Sequence, residues 1–223
     1  MMGLKNKLAV FFRKIGKVFA KAWKKLHKRV VQMEQKYREK PHAMTGERQA
    51  EVKQKIQNLL NQAKQNKDAE NLSDAEAKYI EVLSWDQKNL EAYWGLGQVY
   101  FHQREYKQAE ETYFYLLKLL KALEAGEDSL SVFSSPLIDS QKNEIFFDYV
   151  VCLHRIGEDK RAMGQLRDLL DRDPKNPKYL DKAVELSIEL KDREAARNSL
   201  EALKSVNPDN QKLASFEEQV RNL

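Results

Sequence analysis

Few side chains in this sequence could do covalent or metal chemistry, and those few do not converge. The one cysteine, Cys152, excludes a disulfide framework and a cysteine-based zinc site, and it favours a reducing compartment. It falls on an apolar helical stretch with no base placed beside it, so it reads as a buried structural thiol. His27, His42, His102 and His154 have no metal-ligand spacing. Adjacent carboxylates at Glu110-Glu111 and Glu217-Glu218 read as solvated helix faces. Gly95-Leu96-Gly97 lacks the strand–turn–helix setting of a phosphate loop. The expectation is a chain with no catalytic, cofactor-binding or metal-binding residue, and hence no enzyme.

Binding has more to work with. The chain has 223 residues, of which 42% are hydrophobic, enough for a real core in one or two domains. Eight Gly and five Pro argue against a turn-rich all-β fold. No apolar run exceeds five residues, Leu8–Phe12 being one, against the roughly 20 that a spanning helix needs. One-third of the residues are charged, with a net charge of +5, but the charge is uneven. Residues 1–40 hold 13 Lys+Arg against Glu34 and Glu39, a balance of +11, whereas the other 183 hold 26 basic and 32 acidic groups, a balance of −6. A basic arm precedes a mildly acidic body, and such an arm points to an anionic partner.

On a helical wheel over residues 4–30, Leu4, Leu8, Phe11, Phe12, Ile15, Val18, Phe19, Ala22, Leu26 and Val30 share one face. Lys7, Arg13, Lys14, Lys17, Lys21, Lys24, Lys25 and Lys28 share the other, with Lys5 and Trp23 at the boundary. That is the pattern of a helix lying in a membrane interface. Leu8, Phe11, Phe12, Ile15, Phe19 and Trp23 would enter the lipid, while Lys17 and Lys24 would meet anionic headgroups. Two other readings stand beside it: the apolar face packs on the protein's own body or a partner helix, or the arm binds nucleic acid. Phosphate binding gives no reason for a broad Phe/Leu/Ile face, which disfavours the last. Charges inside the apolar stretch argue against a signal peptide, and the lack of any Ser in residues 1–40 against a mitochondrial leader. Pro41 ends the arm, residues 41–46 form a hinge, and Thr45 can cap the following helix.

From Glu47 onward the sequence repeats. Ala162, Leu166, Leu169 and Pro174 recur 34 residues later as Ala196, Leu200, Leu203 and Pro208. Tyr93, Leu96-Gly97, Tyr100, Tyr106, Ala109 and Tyr113 stand at the spacing of W-x₂-L-G-x₂-Y…A-x₃-F. On these residues the chain resembles the tetratricopeptide repeat family over roughly residues 56–208. A weaker first repeat over 56–89 carries Ala63, Ala75, Tyr79 and Val82, with Ser73–Glu76 as a capping box for its second helix. In the fourth, Leu180, Ala183 and Val184 stand where the family has an aromatic, Leu and Gly. The resemblance implies an all-α, right-handed solenoid of about four helix pairs over 47–223, closed by a capping helix with Leu213, Phe216 and Val220 spaced by three and four. Between Ala109 and Ala162 the register gains 19 residues, an insertion near 119–141. It would lengthen one helix through Lys118–Leu123 and add a loop, 126–140, whose Val132-Phe133 and Pro136-Leu137-Ile138 either fold back or contact a partner.

The resemblance also implies a concave face built from the first helices. Trp94, Gln98, Phe101 and His102 would line it from the second repeat, Phe147, Val151, His154 and Arg155 from the third, and Asp181, Glu185 and Glu189 from the fourth. Phe147 and Val151 could equally be core. This gives an aromatic end beside an acidic end, suited to a protein or peptide ligand with apolar anchors and basic residues. The family's carboxylate clamp is not matched, because Leu60, Lys64, Gly95, Glu144 and Asp148 occupy its positions. The sequence therefore leads to the expectation of an adaptor or scaffold peripheral to the cytoplasmic face of a membrane, bacterial in character. Homo-oligomer formation stays open.

Overall fold

The computed structural model describes residues 45–126, 133, 137 and 139–223. The arm of residues 1–40, with the positions expected to meet lipid and headgroups, and the hinge up to residue 44 lie outside the described residues. Among those described there are nine helices and no strand. They are α1 (Gly46–Asp68), α2 (Leu72–Trp85), α3 (Leu90–His102), α4 (Tyr106–Glu124), α5 (Asp139–Arg155), α6 (Asp159–Arg172), α7 (Pro177–Glu189), α8 (Arg193–Val206) and α9 (Leu213–Arg221). None is long and apolar enough to cross a membrane. The chain divides into two compact units, Met1–Leu137 and Ile138–Leu223. Each unit stacks antiparallel helix pairs of the tetratricopeptide type, α1/α2 and α3/α4 in the first, α5/α6 and α7/α8 in the second.

Every pair turns by the same device. The turns use Glu70, Arg104, Gly157 and Lys191, all with positive φ of 61°, 62°, 77° and 56°. In each, the next residue's N–H bonds back five residues, as in Glu105 N to Tyr100 O at 2.9 Å and Glu158 N to Leu153 O at 2.9 Å. This double closure of a helix C-terminus satisfies its last carbonyls and wants a left-handed residue. Only Gly157 takes that conformation at no steric cost. In the first pair the same closure sets where α2 begins. Asn71 N bonds to Asn66 O at 2.8 Å and the helix starts at Leu72, so Ser73 lies inside the first turn. The capping box expected at Ser73–Glu76 does not form. Glu76 instead accepts from Tyr100 Oη at 3.3 Å and Gln103 Nε2 at 3.4 Å.

Successive pairs are joined by a second recurrent turn. Asn89 accepts from Ala92 N at 2.9 Å and donates to Asp86 at 3.0 Å. Asn176 accepts from Lys178 N at 3.1 Å and donates to Asp173 at 3.0 Å, with Pro177 in the first turn of α7. The Asn caps the incoming helix and the Asp orients the Asn. Thr45 caps α1 from Arg48 N at 3.4 Å.

The seams between helices divide by composition. In the first unit Tyr79 and Tyr113 are fully buried, and backbone glycines make room for them. A Cβ at Gly97 would stand 2.6 Å from the Tyr113 ring, and one at Gly95 would enter the Tyr79 ring. In the second unit Ala162, Leu166, Ala183, Val184, Ala196 and Leu203 close the seams at 0–2% exposure. Burial of each of these leucines is worth roughly 1.5–3 kcal/mol. Helix α9 packs Phe216 and Val220 on Leu180, Val184, Leu200 and Leu203, with Leu213 partly buried beside them. The expected insertion is visible as a 19-residue α4 against 14 residues in α2, α6 and α8. Of its loop, Phe133 is buried, so that side chain folds inward, while Val132, Pro136 and Ile138 lie outside the described residues.

Candidate functional site

In the first unit, α3 presents Trp94, Gln98, Phe101 and His102 along one stripe, because residues four and seven apart share a helix face. Trp94 is half-buried. Gln98 accepts from Lys67 Nζ of α1 at 2.6 Å, and Glu91 pairs with Lys64, so the first helices of adjacent repeats are tied by polar contacts. Phe101 is half-buried and meets Tyr106 edge-on at 5.2 Å, with His102 6.4 Å away and exposed. Behind this stripe Tyr93 lies 4.9 Å from Tyr115. Burial, followed by the neighbouring Tyr115, pushes the Tyr93 phenol up, so it stays a neutral hydrogen-bonding group.

Glu111 departs from the solvated reading. It is half-buried on α4, and burial first, then the charge of Glu110, pushes its carboxyl up to about 7 despite the opposing effect of Lys107. Adjacency to a second carboxylate was legible in the sequence; the burial was not.

The second unit holds a groove. A concavity of about 690 Å³ has Phe147 and Val151 of α5, Lys178, Asp181, Lys182 and Glu185 of α7, and Asn207, Asn210 and Lys212 from the turn into α9. A second, of about 580 Å³, shares Lys182, Glu185 and Lys212 and adds His154, Arg155, Ile188, Glu189 and Phe216. The seven residues proposed for this part of the concave face, Phe147, Val151, His154, Arg155, Asp181, Glu185 and Glu189, thus border one connected surface. Phe147 answers both of its alternatives. It is 7% exposed and stacked on Tyr179 at 5.5 Å, yet its edge reaches the groove, with Lys178 Nζ 4.3 Å from the ring. Val151 is half-buried. His154 Nδ1 lies 2.6 Å from Asp159 Oδ1, which fixes the ring orientation, and Arg155 is exposed.

The electrostatics differ from the expected acidic end. Lys212 Nζ donates to Asp181 Oδ2 at 2.7 Å and Glu185 Oε1 at 2.9 Å. Asp181 also accepts from Asn210 Nδ2 at 3.2 Å, and Glu185 pairs with Lys182. Burial works to raise the Glu185 carboxyl, but the hydrogen bonds and charges of Lys182 and Lys212 outweigh it and hold the group below its ordinary value. Hydrogen bonding to Asp181, against some desolvation and with help from Glu185, holds Lys212 above its own. The acidic end is therefore compensated from within. Sequence reasoning missed Lys212 because it lies past the last repeat. A signal existed: Lys212 stands 34 residues after Lys178, which likewise reaches back one repeat, to Glu144 at 2.6 Å.

Among the described residues no cluster of three His, Cys, Asp or Glu could hold a metal ion, and Cys152 is buried.

Residues 58–118 match the family model described as tetratricopeptide repeat. No curated protein matches the chain. Among solved structures, a tetratricopeptide repeat protein from Parabacteroides merdae superposes with a TM-score of 0.61 at 16% identity, covering 75% of this chain and 59% of its own. The Cut9–Hcn1 hetero-tetramer of the APC/C gives 0.60 at 12% identity, over 74% of this chain and 29% of the other. A MamA protein gives 0.58 at 13% identity, over 78% and 92%. This chain thus spans less than two-thirds of each of the first two structures. At such identities the likeness is one of fold.

Proposed function

From the premise that the body is a tetratricopeptide-repeat fold, we propose a non-enzymatic scaffold that holds a protein or peptide segment on the concave faces of its first helices. The observation that carries this reading is the groove of the second unit. Apolar surface at Phe147 and Val151 adjoins charged and amide groups on α7 and the α9 turn, the mixture that peptide recognition uses. Trp94 and Phe101 supply aromatic surface on the first unit's α3.

Membrane attachment through residues 4–30 completes the proposal, supported by the segregation of Phe, Leu and Ile from Lys and Arg in the sequence. Seven large apolar side chains on that face would contribute on the order of 5–10 kcal/mol before association costs, and each basic residue roughly 1 kcal/mol near an anionic leaflet. The scaffold would then work at the inner, cytoplasmic surface of a membrane. The test is co-sedimentation of the full chain with vesicles of increasing anionic lipid content. Wild type is expected to pellet in proportion to anionic lipid and to release at high salt, whereas Phe11→Asp with Phe12→Asp stays in the supernatant. Equal pelleting of both proteins would end the anchor reading.

A further inference from the structure

The groove of the second unit already contains a bound cation, supplied by the protein itself. Lys212 spans Asp181 and Glu185, yet its side chain is 53% exposed, whereas those of Asp181 and Glu185 are 17% and 26% exposed. The half-exposed ammonium is screened by water on its outer side and can swing into solvent, giving up its two carboxylate bonds and its 5.8 Å approach to the Phe216 ring. The carboxylates are not stranded when it does. Asp181 keeps Asn210 Nδ2, and Glu185 keeps Lys182. What opens is one acceptor position on each, converging on the point where Lys212 Nζ now sits, at the rim of the concavity containing Val151 and the edge of Phe147.

Charge balance points the same way. Lys178, Lys182 and Lys212 face Asp181, Glu185 and Asp209 in that concavity, three against three. With Lys212 withdrawn the lining carries one uncompensated negative charge, which an incoming cation restores. Two carboxylates that converge from neighbouring turns of one helix suit a guanidinium better than an ammonium, because its planar fork can donate to both.

We propose that the Lys212 position is the specificity point of the groove: a partner segment enters with an arginine, or less well a lysine, that expels Lys212 and takes over Asp181 and Glu185, while an adjacent apolar side chain of the same segment seats against Val151 and Phe147. The inference rests on the groove reading above and names the chemistry of its occupant. Lys212 then acts as a placeholder that excludes segments lacking a cation, since these gain no compensation for displacing it.

The test selects random 15-residue phage-displayed peptides on the immobilised full chain, then measures synthetic copies by fluorescence anisotropy. Groove binders are identified as those that Val151→Glu abolishes. They are expected to carry Arg or Lys beside a large apolar residue. Replacing that Arg by citrulline should weaken them about tenfold, the scale of a lost charge-assisted pair. Lys212→Ala should tighten them by about threefold to tenfold by removing the competitor. Asp181→Asn with Glu185→Gln should abolish the preference for Arg over citrulline. Circular dichroism checks that each variant folds, and Lys212→Ala, on the exposed partner, keeps the test decisive if the double variant does not. Groove binders without a basic residue, or indifferent to citrulline and to Lys212→Ala, would overturn the inference and leave the groove reading intact. If no selected peptide responded to Val151→Glu, the groove reading itself would fall, and this inference with it.

Discussion

The first unit fits aromatic rings over glycine, whereas at the matching places the second buries aliphatic side chains, Leu166 and Leu200 beside Val150 and Val184. Tyr79 and Tyr113 fill space left by Gly95 and Gly97, whereas Leu166, Leu203, Ala162 and Ala196 suffice further along the chain. The family match ends at residue 118, yet α5–α8 form the same helix pairs. The family signature is thus one solution to a packing problem, which is how two helices approach closely and still fill the space between them. A ring against a missing Cβ solves it by shape, while valine and leucine solve it by volume, with less demand on any single position.

That contrast can be broken first at its tightest point. Gly95→Ala would drive a methyl into the buried Tyr79 ring and should cost the first unit about 3 kcal/mol. Trp85 and Trp94 both lie in that unit, and residues 138–223 contain no Trp. Fluorescence melting therefore reports the loss, and hydrogen exchange over α5–α9 serves as the internal comparison. An unchanged melt would mean that the ring-on-glycine seam has slack.

A smaller effect separates the units by pH. Glu111 titrates at about 7 in the first unit, above its unfolded value. The native state therefore binds the extra proton between roughly pH 4.5 and 7, and stability falls as pH rises through that window. Glu111→Gln should remove this fall and stabilise the first unit by about 1 kcal/mol at pH 8, after allowance for its half-exposed position. At pH 4 the variant and wild type should melt together. A pH profile of denaturation midpoints checks the sign as well as the size.

The least of the three concerns the turns. Arg104 and Gly157 occupy the same place in their repeats, with φ of 62° and 77°. Arg104→Gly should stabilise the first unit, and Gly157→Ala should destabilise the second, each by about 0.5–1 kcal/mol, the steric cost of a side chain in the left-handed region. Urea midpoints of the two single variants would test it. Effects of the same sign would contradict the shared turn geometry.

How far the sequence reaches is clear from particular residues. Ala162/Ala196 and Leu169/Leu203 at a fixed interval were enough for the helix pairs, because each repeat reuses one local solution and neighbours supply the missing half of its core. The longer α4 was legible as a break in that interval. Ser73–Glu76 was misleading. The closure of the preceding helix across Asn66 and Asn71 sets the start of α2, and a four-residue motif cannot sense a hydrogen bond formed by the turn before it.

What the sequence by itself determined was therefore the class of fold and the order of its helix pairs, both set by periodicity and small-residue placement within about one repeat. Tertiary structure alone decided the character of the groove. Asp181 and Glu185 read as an acidic end until Lys212, 31 and 27 residues further on, is brought across them. It likewise decided that Glu111 is half-buried beside Glu110. Charge compensation and desolvation depend on distance and dielectric between helices, quantities that spacing along one chain does not encode.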